Sequence, residues 1–131
     1  MRVILFRGKR IDNGEWVYGV PTKDSHGEMV MVESIFECDE YNCRGANCLY
    51  VDENTVGQYT GLTDKNGTKI FEGDIVKIKG KIRYIFYGIS SFRHTNYGEY
   101  AAELQNVFTM KYCEVIGNIY DDPELLRGDR K

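Results

Sequence analysis

Proline is scarce in this chain, with two in 131 residues, and histidine is equally rare, with two. So little proline excludes a polyproline recognition segment or a stiff Pro-rich linker. No stretch approaches the ~20 apolar residues of a membrane-spanning helix. The opening apolar run is only Val3 to Phe6 and basic residues follow it, the reverse of a secretory leader. That order leads us to expect a cytoplasmic protein with reduced thiols and no membrane partner. GxSxG, HExxH, P-loop and GxGxxG patterns are all missing. A strong excess of charge is missing too. Seventeen basic and twenty acidic side chains leave a formal charge of −3, which disfavours a general binder of duplex DNA.

What the chain does have is apolar and aromatic content: 42% hydrophobic, 13% aromatic, with ten tyrosines and fourteen glycines. Tyr, Val and Ile runs punctuated by glycine turns favour strands, and the content suffices for a packed core. RVILFRG alternates as a strand, and Asn13-Gly14 between Ile11 and the Trp16, Tyr18, Val20 run predicts a type I′ hairpin. KDSHGE reads as a loop, EMVMVESIF as a strand and CDEYNCRGANC as an irregular surface excursion. Asp64-Lys65-Asn66-Gly67 predicts a second turn. GDIVKIKG, KIRYIFYG, EYAAELQ and YCEVIGNIY then read as strands, interrupted by a polar loop near 88–98. DDPELLRG predicts a short C-terminal helical turn with Asp122 as its cap and Pro123 at its first position.

The expected fold is therefore mainly β. An N-terminal sheet subdomain, 1–62, packs on a C-terminal small SH3-like β-barrel subdomain, 63–131, the pair also readable as one domain over 1–126.

Four chemistries compete for the polar residues. Asp64 and Asn66 match positions 1 and 3 of a calcium loop, but positions 5, 6 and 12 are Thr68, Lys69 and Ile75, which cannot complete it. A tight turn explains the same residues. Cys38, Cys43, Cys48 and Cys113 lack the paired spacing of structural zinc, so no metal and no cofactor is expected. Glu53, Glu72 and Asp74 are carboxylates in search of a catalytic partner, and His26 and His94 sit in loops with none at a telling spacing. No catalytic residue is expected, and the chain reads as a non-enzyme. Nucleic acid offers the alternative. Lys77, Lys79, Lys81 and Arg83 alternate along neighbouring strands near Tyr84, Phe92 and Arg93, a basic strip with aromatics suited to single strands. Outward-facing lysines on any soluble sheet give the same pattern.

Three blocks, FRGKRIDNGEWVYG, VGQYTGLTDKNGTKIFEGDIVKI and EVIGNIYDDPELL, resemble the YopX family of phage and prophage proteins. The resemblance implies a phage-derived, mainly β protein in the bacterial cytoplasm, with no functional residues to carry over. Together with the composition, it leads us to expect a non-catalytic interaction or assembly module, bound to a protein partner or to copies of itself, or alternatively a single-stranded nucleic-acid binder.

Overall fold

The computed structural model describes residues 5–33, 37–38, 43–44, 48–88, 91–95, 102–103 and 111–128. They divide into two compact units, one ending at Gln58 and the other beginning at Tyr59. The chain is mainly β, as its composition predicts.

The first unit contains β1 (Phe6–Lys9), β2 (Trp16–Lys23), β3 (Met29–Val32), β4 (Glu37–Cys38), β5 (Cys43–Arg44) and β6 (Cys48–Tyr50), then a 3-10 turn, Glu53–Thr55. Four strands pair antiparallel in the order β6-β3-β2-β1, and β4 with β5 forms a separate ribbon. Alternation in β2 sends Val17 and Gly19 inward while Tyr18 and Val20 face out. Val17, Met31 and Val51 form the core, with Phe6, Met29, Leu49 and Val56 packed around them. Gly19 is required by close approach: a Cβ there would lie 2.1 Å from the Val32 carbonyl oxygen.

The Asn13-Gly14 turn is not type I′. Arg10 N–H donates to Glu15 O and Gly14 N–H to Arg10 O, closing a four-residue loop in which only Gly14 has positive φ, 73°. Asn13 instead turns its side-chain oxygen onto the Glu15 N–H at 2.9 Å, which needs no left-handed backbone.

β7 (Gly57–Thr63) begins at the end of the first unit, where Gly57 and Gln58 pair with β1. In the second unit its remainder pairs with β8 (Lys69–Phe71). β9 (Asp74–Ile78), β10 (Lys81–Gly88), β11 (Ser91–Thr95), β12 (Ala102–Glu103), β13 (Cys113–Asn118) and α1 (Glu124–Gly128) follow. The sheet order is β12-β11-β10-β9-β13, antiparallel throughout. Its core is Ile70, Val76, Ile78, Ile85 and Cys113, with Val115 against them.

Three sequence expectations change here. The SH3-like barrel is not closed: among the described residues β12 and β13 stand at opposite edges of an open sheet. Ser91–Thr95, expected within a loop, is a strand paired with β10, because Phe92 is buried against Tyr87 and needs that register. The rest of the expected loop after Gly88 lies outside the described residues. Asp122 precedes α1 but does not cap it with its side chain; Oδ2 accepts the Asn118 N–H at 3.2 Å instead. Leu126 is buried and Leu125 half-buried.

One turn is built twice. Asp24 Oδ1 accepts the His26 and Glu28 N–H groups, each at 2.9 Å, and Asp64 Oδ1 accepts those of Asn66 and Thr68 at 2.8 and 2.9 Å. In both, the glycine three residues on, Gly27 or Gly67, has φ near 80° and donates its N–H to the aspartate carbonyl. A type I turn ending in left-handed glycine is a standard three-residue hairpin, and the aspartate side chain fastens it.

Candidate anion-binding groove

The acids come first, because a site needs groups not already committed. Asp64 is buried, and beyond the two turn amides its Oδ2 accepts the Val115 N–H at 2.8 Å. Asp74 is buried and accepts the Phe71 N–H at 2.8 Å. Asn118 Oδ1 accepts the Tyr120 and Asp121 N–H groups. Glu53 is exposed and pairs with Lys23 at 3.2 Å. These side chains hold strands and turns together. Among the described residues no group of three or more His, Cys, Asp or Glu could hold a metal ion.

Cys113 is fully buried, and its thiol is pushed up to about 12 by burial first, then by Asp64 and Asp74. It has neither the access nor the thiolate character of a nucleophile or ligand. Cys48 is exposed at the start of β6. The side chains of Cys38 and Cys43 lie outside the described residues, as does that of His94; His26 is exposed.

The basic residues behave differently. β9 and β10 join through a two-residue turn, Lys79-Gly80, so Ile78 lies opposite Lys81 and Lys77 opposite Ile82. Odd-numbered residues of β9 therefore share a face with even-numbered residues of β10. Lys77 emerges on one face, while Lys81 and Arg83 share the other with Ile78 and Val76. The expected strip is divided. Arg83 is half-buried, with Nη1 donating to Ile82 O at 3.3 Å. Tyr84 is half-buried beside Phe86, ring centroids 5.9 Å apart, and Phe92 is buried edge-on to Tyr87 at 4.9 Å. Arg93 lies in β11 opposite Phe86, and its side chain lies outside the described residues.

Lys77 and Lys79 instead meet residues the sequence reading left out. A groove of about 330 Å³ is lined by Lys65, Lys77, Lys79, Gly80, Lys111, Tyr112 and Glu114. Each lysine arrives for a structural reason. The aspartate-fastened turn is docked on β13 by the Lys65 N–H donating to Cys113 O at 3.0 Å, which brings Lys65 alongside. β13 pairs with β9 so that Glu114 lies opposite Lys77, and Lys111 and Tyr112 immediately precede that strand. All four lysines are exposed, against one half-buried glutamate, whose Oε2 accepts from Asn66 Nδ2 at 3.4 Å. Lys79 Nζ lies 4.4 Å from the Tyr112 ring centroid and Lys111 Nζ 5.6 Å away.

A cleft walled by like charges concentrates field and favours anions, and the exposed Tyr112 ring adds a flat face. The missed members were legible only through pairing. Once EVIGN is placed antiparallel to DIVKI, Lys111-Tyr112 and Lys65 fall beside Lys77 and Lys79.

The chain resembles a solved protein along nearly all of its length. The crystal structure of protein EF1440 from Enterococcus faecalis is 22% identical, covering 96% of this chain and 99% of that one, with a TM-score of 0.68. That likeness shows a shared fold. A search of curated proteins finds no match. The family model described as YopX protein matches residues 5–127, which include all three sequence blocks and every residue of the groove, and the chain belongs to the YopX family.

Proposed function

We propose that this YopX-family chain is a non-catalytic binding module of a phage-derived element, working in the bacterial cytoplasm, and that its groove takes the backbone of single-stranded nucleic acid. The observation that carries the reading is the convergence of Lys65, Lys77, Lys79 and Lys111, from three separate chain segments, around the exposed Tyr112. The net charge of −3 disfavours wide contact with a duplex, whereas a local groove needs only a few phosphates. The non-catalytic part is supported by the commitment of Asp64 and Asp74 to backbone amides and by the burial of Cys113.

Fluorescence anisotropy with labelled single strands across salt concentration is the test. Binding at low salt should weaken linearly in log salt, with a slope of about −0.7 for each phosphate neutralised. Charge reversal at Lys65 and Lys111 should abolish it. No binding at low salt overturns the nucleic-acid reading, and cleavage of the oligonucleotide overturns the non-catalytic one.

A second reading, self-association, is favoured by one observation. Tyr18, Val20 and Tyr50 are exposed on one face of the first unit's sheet, at 44%, 55% and 53%. Val20, Val32 and Cys48 form a cross-strand row on that face. Light scattering of the protein and of Val20→Lys across concentration decides it. A strict monomer at high concentration removes it.

A further inference from the structure

Charge alone would let the groove accept any polyanion, so what it selects depends on Tyr112. We infer that Tyr112 is the base-contacting residue of the groove: one nucleobase stacks on its ring while the surrounding lysines hold the neighbouring phosphates. The preferred ligand is then a base-bearing single strand rather than a bare polyphosphate. This rests on the nucleic-acid reading and adds a specificity to it.

Three features carry the inference. Tyr112 is 38% exposed; Tyr18, Tyr50 and Tyr87 are more open, at 44%, 53% and 52%, but Tyr112 is the aromatic that lines the lysine groove. Tyr112 is nevertheless firmly placed, because the next residue, Cys113, is fully buried and lies opposite Ile78 in the sheet. A ring on a fixed backbone, open to solvent, is the arrangement on which bases stack regardless of sequence.

The second feature is the disposition of charge about the ring. The Lys79 ammonium lies over the ring at 4.4 Å and that of Lys111 at 5.6 Å. Phosphates flanking a base stacked on Tyr112 would fall within reach of both flexible side chains. Lys79 exchanges a ring contact for a phosphate contact as the base arrives, so no ammonium is stranded.

The third is the backbone of Lys79 itself. Its φ of 49° is the one positive value at a non-glycine position among the described residues. The turn Lys79-Gly80 has both central residues left-handed, the geometry for which Asn-Gly is the low-energy choice. A lysine held there against its conformational preference points to a role for its side chain, as strained positions often do.

The experiment compares three probes by anisotropy at low salt: a labelled oligonucleotide of about twelve residues, the same length of abasic strand, and inorganic polyphosphate as competitor. The base-bearing strand should bind about tenfold more tightly than the abasic one. Tyr112→Ala should bring the ratio of base-bearing to abasic affinity close to one, while Tyr112→Phe should retain the wild-type ratio. Circular dichroism confirms that each variant is folded. Equal binding of abasic and base-bearing strands, or a Tyr112→Ala variant with undiminished preference, overturns this inference alone. Absence of binding by either strand overturns it together with the nucleic-acid reading.

Discussion

The Val115 amide donates to Asp64 Oδ2 at 2.8 Å, a bond that joins positions 51 residues apart and seats the DKNG turn on the edge strand β13. Asp64 is 2% exposed and also accepts from Asn66 and Thr68, so one carboxylate organises a hairpin turn and its docking together.

Removing that carboxylate should be costly. Asp64→Ala leaves three part-buried amides without their acceptor, and hydrogen bonds to charged groups contribute more than neutral ones. The expected loss is about 3 kcal/mol or more of unfolding free energy. Urea denaturation should show a lowered midpoint at unchanged slope. Lys65 is held at the groove by this turn, so oligonucleotide affinity should fall as well. Asp64→Asn keeps one acceptor oxygen and should lie between the two.

Lys79 sets stability against binding. Lys79→Asn places at the left-handed first position of the type I′ turn a residue that tolerates it better, and should stabilise the protein by about 1 kcal/mol. The same change removes one cation from the groove. The log-affinity against log-salt slope for single strands should then become shallower by about 0.7. A variant both more stable and weaker in binding would identify Lys79 as a functional residue retained at a structural cost. A variant that gains stability and keeps its salt slope would reduce Lys79 to a turn residue.

The hydrophobic periodicity already announced most of the β architecture, because Val17 against Tyr18, or Val76 against Lys77, reports burial through simple alternation. Site membership was less legible for a reason visible at Lys77 and Lys81. Both look outward in sequence, yet the two-residue turn between their strands reverses the parity and sends them to opposite faces. Lys65 and Lys111 are far from Lys77 in the chain and join it only through the β9–β13 pairing. The turns misled in the same way. Asn13-Gly14 has the composition of a type I′ hairpin, while Lys79-Gly80, with no such signature, has its dihedrals. The Asp-x-x-Gly repeat at 24–27 and 64–67 was present in the sequence, but its meaning lies in side-chain bonds to backbone amides that composition does not display.

The second copy of that turn gives a pH prediction. Asp24 is held below its ordinary value of 3.8, first by the Glu28 N–H, then by the Tyr50 hydroxyl and the His26 N–H. Its folded value lies below its unfolded one, so the stabilisation it gives is present above the ordinary carboxylate range and fades as pH falls through the folded value. Tyr50→Phe removes the hydroxyl donor at 2.8 Å and should move the Asp24 titration upward toward 3.8. Carboxyl-carbon NMR titration of both proteins reads this directly, and coincident curves would show that the hydroxyl contributes nothing.

Cys113 gives the opposite limb. Burial first, and then Asp64 and Asp74, push its thiol from 9.0 up to about 12. The folded state therefore holds the proton more tightly than the unfolded chain. Its contribution is complete below about pH 9 and is lost as pH climbs toward the folded value, because the unfolded thiol ionises first. Chemical denaturation of wild type against Cys113→Ala should show a steeper alkaline decline for the wild type, whatever cost the missing sulfur imposes at neutral pH. Thiol labelling separates access from ionisation. At mildly alkaline pH in the native state, peptide mapping should find Cys48 modified and Cys113 intact, with Cys113 reacting only once denaturant opens the sheet. Rapid native-state modification of Cys113 would mean that β13 opens readily from β9, and the groove whose lysines that strand aligns would then have no fixed form.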